Sequence, residues 1–108
     1  MWAHGQIEQA IEAFQTAATD DPAYDQPHYY LGVIRRTQQR LADARSEFNT
    51  AVQLNPSNAK AFGNLGLVCI GLGDLPAAEK NLTQALRLNP TDDLARKALE
   101  AIKQRPVP

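Results

Sequence analysis

The chain has 108 residues, of which 44% are hydrophobic, and its 11 basic and 12 acidic side chains leave a net charge of −1. This composition supplies enough apolar surface for a core and excludes a disordered chain. The balanced charge excludes the strong field that would make nucleic acid or an anionic membrane the default partner. No apolar run approaches the roughly 20 residues of a membrane-spanning helix, so we expect a soluble domain.

Six helices are predicted in chain order, over about residues 2–19, 25–38, 42–54, 58–71, 75–88 and 92–104. The fourth shows the pattern most clearly, with apolar or small residues at intervals of three and four positions, at Phe62, Leu65, Gly66 and Cys69. Asp74 is a suitable cap for the fifth helix. Pro90 ends that helix, because the residue before a proline disfavours the α conformation.

A 34-residue period links these helices, since Leu54-Asn55-Pro56 returns as Leu88-Asn89-Pro90. Four further columns keep the same step: Ala10, Ala44 and Ala78; Phe14, Phe48 and Leu82; Ala17, Ala51 and Ala85; and Ile7, Leu41 and Leu75. Leu31-Gly32 likewise returns as Leu65-Gly66. Columns that agree in one register without a gap indicate a repeat of two helices rather than coincidence.

Small residues recur where the two helices of a unit are expected to cross. Gly32 and Gly66 occupy this column in the first helices, and Ala44 and Ala78 occupy it in the second helices. A larger side chain would hold the two backbones apart, and overpacking of this kind costs roughly 1–3 kcal/mol. We therefore expect these four positions to be the points of helix contact.

This pattern resembles the tetratricopeptide repeat (TPR) family, whose unit carries an aromatic residue, Leu-Gly, a second aromatic, Ala, an aromatic, Ala and Pro at fixed positions. The third unit supplies Phe62, Leu65-Gly66, Cys69, Ala78, Leu82, Ala85 and Pro90, and the second supplies His28, Leu31-Gly32, Arg35, Ala44, Phe48, Ala51 and Pro56. The resemblance implies an all-α, right-handed superhelical solenoid of antiparallel helix pairs. Gln39 stands where the third unit has Gly73, so Gln39 is strained if that turn requires a left-handed residue.

The repeat register predicts different arrangements at the two ends of the chain. Residues 1–24 are interpreted as the second helix of a repeat that lacks its first helix, 25–58 and 59–92 as full repeats, 93–104 as a capping helix and 105–108 as a tail. The first helix then has an apolar face that the second unit covers only in part, formed by Trp2, Ile7, Ile11 and Phe14. Exposed apolar patches usually find a partner, so self-association through these residues is predicted, and the alternative is that Trp2 folds back over the gap.

The inner surface of such a solenoid is lined by the first helix of each pair. The residues predicted there form a candidate peptide-binding face: Gln26, Tyr29, Tyr30, Val33, Arg36, Lys60, Asn64, Leu67 and Lys97. Adjacent residues of a helix point in different directions, so at least one of Tyr29 and Tyr30 should face outward. An exposed tyrosine suits a binding surface because it combines contact area with a polar tip. The alternative is that Tyr30 packs against the next unit and Tyr29 is merely half-exposed.

Lys60 and Asn64 raise a narrower hypothesis. In TPR proteins that bind chaperone C-terminal tails, Lys, Asn and Arg at similar inner positions clamp a carboxylate. The second unit has Gln26 and Tyr30 in the corresponding columns. A carboxylate site normally needs several donors together, so this single pair is weak support for a clamp.

No set of residues in the sequence indicates catalysis. There is no His/Cys cluster at metal-ligand spacing and no Gly-rich phosphate loop between a strand and a helix. Cys69 has apolar neighbours, which favours a core position. We therefore predict a non-enzymatic scaffold without cofactor or metal, which binds a protein or peptide rather than nucleic acid or a membrane. A homodimer through the first helix is the alternative.

Overall fold

The computed structural model describes residues 4–104, and these residues fold into six helices and no strand. The helices are α1 His4–Asp20, α2 Gln26–Thr37, α3 Leu41–Leu54, α4 Ala59–Gly71, α5 Leu75–Leu88 and α6 Asp93–Lys103. The predicted all-α class is confirmed. The start of α1 and the tail over 105–108 were predicted at residues outside the described range, and every other helix end lies within one residue of its prediction. No described helix is long and apolar enough to cross a membrane.

Side-chain caps fix where three of the helices begin. Asn58, Asp74 and Asp92 each accept a hydrogen bond from the backbone N–H three residues further on, at 3.0, 3.2 and 3.0 Å. The predicted cap at Asp74 is confirmed. A cap residue has non-helical dihedral angles while it satisfies a free N–H group, so α4 and α6 begin one residue after the predicted positions.

The core follows the repeat columns of the second and third units. Their most deeply buried members are fully enclosed: Ala44, Phe48, Ala51, Ala78, Leu82 and Ala85. In the first unit the same columns, at Ala10, Phe14 and Ala17, are only half-buried. The difference arises because α1 contacts only α2 within residues 4–104, whereas α3 and α5 each pack between two helices.

The two helices of each unit cross in close contact at a glycine. A Cβ atom on Gly32 would lie 2.6 Å from the Phe48 ring, and one on Gly66 would lie 2.6 Å from Cγ of Leu82. Carbon atoms in favourable contact are about 3.5–4.0 Å apart. A larger residue at either position therefore requires the partner helix to move, as the repeat columns predicted.

The turns after α2 and α4 share one backbone geometry. Gln39 has φ 63° and Gly73 has φ 80°, both in the left-handed region. In each turn the next N–H, from Arg40 or Asp74, bonds to the carbonyl five residues earlier, at 2.8 and 2.9 Å. This is the Schellman arrangement that usually ends a helix on glycine, so Gln39 holds the strained conformation predicted for it.

The inner face of the array is formed by α2, α4 and α6. Consecutive members of this set contact each other, whereas no contact joins α1 to α3 or α3 to α5 within the described residues. The array curves towards the side on which helices of neighbouring repeats touch, which is the side of α2, α4 and α6. On the other side, α1, α3 and α5 are spread apart. The surface of α2, α4 and α6 is called the inner face below.

We expect Gly66→Ala to lower the free energy of unfolding by roughly 1–3 kcal/mol, because the added methyl group overlaps Leu82 at the α4–α5 crossing. Urea unfolding followed by circular dichroism measures the change. Gly5→Ala is the matched control, since nothing lies within 4 Å of a Cβ at that position of α1 and alanine favours a helix. A Gly66→Ala variant as stable as the wild type would show that the crossing tolerates a larger residue.

We expect Gln39→Gly to raise the free energy of unfolding by about 0.5–1 kcal/mol. The left-handed conformation costs a non-glycine residue about 1–2 kcal/mol, and glycine loses about 0.5–1 kcal/mol more backbone entropy on folding. The reciprocal change, Gly73→Gln, should lower stability by a similar amount in the same urea experiment. A loss of stability in Gln39→Gly would contradict the assignment of strain to this turn.

Candidate functional site

Two adjoining cavities lie on the inner face and meet at Lys60. The larger, the tyrosine cavity, has a volume of about 390 Å³ and a lining that includes Asp25, Gln26, Tyr29, Tyr30, Asn58 and Lys60. The smaller, the arginine cavity, has a volume of about 120 Å³ and a lining that includes Arg36, Lys60, Gly63, Asn64, Leu67 and Leu94. Another cavity, of about 610 Å³, runs along α5 from Pro76 to Arg87 and shares no residue with these two.

The two tyrosines of α2 form an aromatic wall. Tyr30 is 44% exposed, and its ring stacks on Phe14 of α1 with centroids 5.3 Å apart and an interplanar angle of 17°. Tyr29 is half-buried, packs against the core and meets Tyr30 edge-on at 5.2 Å. The prediction that at least one of the pair faces outward is confirmed. The alternative in which Tyr30 packs on the following unit is not the observed arrangement, because its stacking partner belongs to α1.

Asn64 links three residues of the inner face. Its amide nitrogen donates to the Lys60 carbonyl at 3.0 Å and, more weakly, to the Tyr29 hydroxyl at 3.4 Å. Its amide oxygen accepts a hydrogen bond from the Arg36 guanidinium. Because Tyr29 and Arg36 belong to α2 while Asn64 belongs to α4, this network joins the two repeats on the surface where a ligand would lie.

The Tyr29 hydroxyl is neutral at pH 7. Burial raises its pKa above the ordinary value of 10.0, and electrostatic repulsion from Tyr30 raises it further. The hydrogen bond from Asn64 and the charge of Arg36 lower the pKa but do not cancel the rise. The hydroxyl therefore accepts from Asn64 while its own proton stays available to an acceptor on a ligand.

Asp25 ties the start of α2 to the turn that precedes α4. Its Oδ2 atom accepts hydrogen bonds from Asn55 at 3.2 Å and from Asn58 at 3.1 Å. The sequence analysis did not single out these three residues, because they lie at helix starts and in a linker, whereas the candidate face was chosen from the inward-facing positions of helices. The repeated sequence between the units could have indicated two of them. Asn55 belongs to the repeated Leu-Asn-Pro, and Asn58 lies one period before Asp92.

The cavities bring together seven of the nine residues predicted on the inner face: Gln26, Tyr29, Tyr30, Arg36, Lys60, Asn64 and Leu67. Val33 and Lys97 line neither cavity. Val33 packs against the main core, since it shares its side of α2 with Tyr29. Lys97 is exposed on α6, away from the two cavity linings.

The predicted self-association face lies on α1. Ile7, Ile11 and Phe14 are each half-buried, and Phe14 is stacked against Tyr30. The described contacts of α1 are made with α2 alone. Trp2 lies outside the described residues. Partial covering by the second unit is therefore observed, and self-association stays a prediction.

Cys69 and His28 are both held in structural contacts. Cys69 is buried in the main core, and burial raises the pKa of its thiol above the ordinary value of 9.0. His28 lies 3.3 Å from the Glu47 carboxylate, between α2 and α3. Within residues 4–104, no group of three or more His, Cys, Asp or Glu side chains could hold a metal ion.

Comparison with known sequences gives two kinds of match. A family model described as tetratricopeptide repeat matches the chain twice, over residues 2–59 and 34–93. Among curated proteins, the chain is similar to heat shock protein STI1 of Saccharomyces cerevisiae, with 36% identity over 64 residues that cover 59% of this chain and 11% of that protein. The chain spans 11% to 32% of the length of the curated relatives it matches.

Solved structures with the same helix arrangement include two that hold a peptide. The first TPR of Spaghetti (RPAP3), bound to the HSP90 peptide SRMEEVD, gives a TM-score of 0.86 at 28% identity, over 93% of this chain and 79% of that one. The second TPR domain of human RPAP3, in complex with the HSP70 peptide SGPTIEEVD, gives a TM-score of 0.84 at 27% identity, over 94% and 84%. The described helices therefore share the fold of these domains over nearly their whole length.

We expect stability to fall as the pH rises above about 10, in part through Tyr29. The folded-state pKa of Tyr29 is raised, so its contribution is complete below the unfolded-state pKa and is lost as pH passes the folded-state pKa. Urea unfolding at a series of alkaline pH values measures this slope. Tyr29→Phe has no proton to lose and should give a shallower decline. An identical slope in the two proteins would contradict the raised pKa.

Proposed function

This chain belongs to the tetratricopeptide repeat family, and we propose that it acts as a non-catalytic scaffold that binds an extended, acidic peptide on its inner face. This function is assigned to these 108 residues alone, because the curated relatives are several times longer. The ligand lies across α2 and α4, with its side chains in the tyrosine and arginine cavities.

This proposal rests on the two cavities that meet at Lys60. Together they offer an aromatic wall at Tyr29 and Tyr30 and cationic groups at Lys60 and Arg36. Aromatic and arginine side chains are the residues that most often dominate the binding energy of interfaces. The surface is also rigid, because its residues project from packed helices and little ordering is needed on binding.

The peptides held by the similar structures support an acidic ligand. The first TPR of Spaghetti (RPAP3) is bound to SRMEEVD, and the second TPR domain of human RPAP3 is in complex with SGPTIEEVD. Both peptides contain two adjacent glutamates followed by valine and aspartate. Lys60 and Arg36 line the two cavities and form no ion pair within the described residues, so they can meet such a charge pattern. The carboxylates of the linings, Asp25 and Asp92, accept hydrogen bonds from the protein itself.

We expect the triple variant Tyr29→Ala, Tyr30→Ala and Asn64→Ala to bind the peptide SRMEEVD at least about tenfold more weakly than the wild type, because truncation of central aromatic contacts usually costs that much or more. Isothermal titration calorimetry measures both dissociation constants. Circular dichroism and urea unfolding establish that the variant remains folded.

The matched control is the triple variant Lys80→Ala, Gln84→Ala and Arg87→Ala, which removes a similar number of side chains from the cavity along α5. Its affinity should equal that of the wild type. If the inner-face triple variant binds the peptide as tightly as the wild type, the inner face is not the binding surface. A wild-type protein that retains neither SRMEEVD nor any member of a random peptide library would contradict the peptide-binding function itself.

A further inference from the structure

Both N–H donors of Asn64 are directed to groups of the protein, so Asn64 has no free donor for a carboxylate on a ligand. A side-chain amide has two N–H donors and one carbonyl oxygen. The donors are directed to the Lys60 carbonyl at 3.0 Å and to the Tyr29 hydroxyl at 3.4 Å, and the oxygen accepts from Arg36. Asn64 therefore acts through its neighbours, as a positioning residue.

The charge of Arg36 is not compensated by its hydrogen-bond partner, because that partner is a neutral amide. Within residues 4–104, Arg40, Arg45 and Arg96 each form an ion pair with a carboxylate, whereas Arg36 and Lys60 form none. A guanidinium carries five N–H donors in a planar fork that matches the geometry of a carboxylate. With one N–H held by Asn64, the remaining donors stay available in a fixed orientation.

The arginine cavity has the size and lining for a short acidic side chain. Its volume of about 120 Å³ is less than a third of the volume of the tyrosine cavity, about 390 Å³. Leu67 and Leu94 supply apolar walls, and Leu94 is 61% exposed. The one carboxylate in the lining, Asp92, accepts at Oδ1 a hydrogen bond from a backbone N–H of α6 at 3.0 Å and keeps its negative charge. The two cations Arg36 and Lys60 outnumber it in this lining.

The position of Lys60 between two cavities indicates how a ligand chain would run. A carboxylate held at Lys60 and Arg36 has the tyrosine cavity on one side and the leucine-lined wall on the other. Both sides offer room for further residues. A peptide that continues in both directions presents a side-chain carboxylate here and does not present its C-terminus.

We propose that Arg36 and Lys60 form a receptor for a glutamate or aspartate side chain within a bound peptide, and that Asn64 positions Arg36 for this contact. The inference rests on the proposed function, that the inner face binds peptide. In this arrangement the ligand is recognised by an acidic side chain within its sequence. The recognising group is Arg36 of α2, which Asn64 of the next repeat holds in place.

The test is a selection from random short peptides displayed at the N-terminus of a phage coat protein, so that no peptide has a free C-terminus. The folded wild-type chain is the bait, and sequencing measures the enrichment of Asp and Glu in the retained peptides. We expect a several-fold enrichment at one internal position, next to an apolar residue. Arg36→Gln should remove the enrichment and weaken a selected acidic peptide about tenfold or more, as expected for a lost charge-assisted bond.

Asn64→Asp tests whether the uncompensated charge of Arg36 selects the acidic residue. Aspartate keeps the shape of the side chain and still accepts from Arg36, but it compensates the guanidinium charge and lacks the two N–H donors directed to the Lys60 carbonyl and to a tyrosine hydroxyl of α2. The preference for Glu over Gln at the selected position should therefore disappear, and circular dichroism with urea unfolding checks that the variant remains folded. Arg87→Gln is the matched control, because Arg87 also donates to a neutral amide, that of Gln84 at 3.3 Å, but lies in the cavity along α5. It should leave the selection unchanged.

Each contrary outcome has a distinct meaning. Retained peptides without acidic enrichment, or with the same enrichment on Arg36→Gln, would overturn the receptor while leaving the peptide-binding function in place. Retention only in a display format with a free peptide C-terminus would show that the terminal carboxylate is the recognised group, which also overturns it. Retention in neither format would contradict the peptide-binding function and the receptor together.

Discussion

The close crossing of paired helices at Gly32 and Gly66 is the contact on which the rest of the structure depends. Because no Cβ stands between the backbones, Phe48 and Leu82 pack directly over the glycines and are fully buried. The flanking alanine columns are fully buried by the same approach. Each helix pair is then a stiff unit, and stacking these units brings α2, α4 and α6 together on one side. The inner face of α2 and α4 is therefore positioned by the glycine crossings, which lie on the other side of these two helices.

The binding surface arises where the repeats differ, whereas the fold arises where they agree. Positions one period apart on the inner face carry unlike residues: Gln26 and Lys60, Tyr29 and Gly63, Tyr30 and Asn64. The bulky members build the aromatic wall, and the small Gly63 leaves room for the arginine cavity. Divergence in these columns does not disturb the core, because the buried columns lie on other sides of the same helices. The scaffold and its specificity are therefore physically separable.

The network around Asn64 gives the inner face its electrostatic character. Among the described arginines, three are held by carboxylates: Arg40, Arg45 and Arg96. Arg36 donates instead to a neutral amide and lines a cavity on the inner face, whereas Arg87, which also donates to an amide, lines the cavity along α5. A neutral partner fixes the direction of the guanidinium without cancelling its charge, which a carboxylate would do. The protein as a whole has a net charge of −1, so local arrangement, and not overall composition, sets the charge complementarity of this face.

The sequence by itself determined the six helices, their pairing and the buried columns, because these depend on short spacings and on a period that runs through the chain. It identified Gln39 as the residue that is strained if its turn is left-handed, and the structure shows that the turn is left-handed. The sequence also determined which helix sides face inward, and seven of the nine residues named on that basis line the cavities. Only the tertiary structure decided that Asn64 is engaged by Arg36 and Tyr29, that Val33 belongs to the core edge, and that Asp25 bonds to the linker asparagines. These contacts cross between repeats, and their geometry depends on the angle at which one unit stacks on the next. That angle results from the packing of whole helices, so no local pattern encodes it.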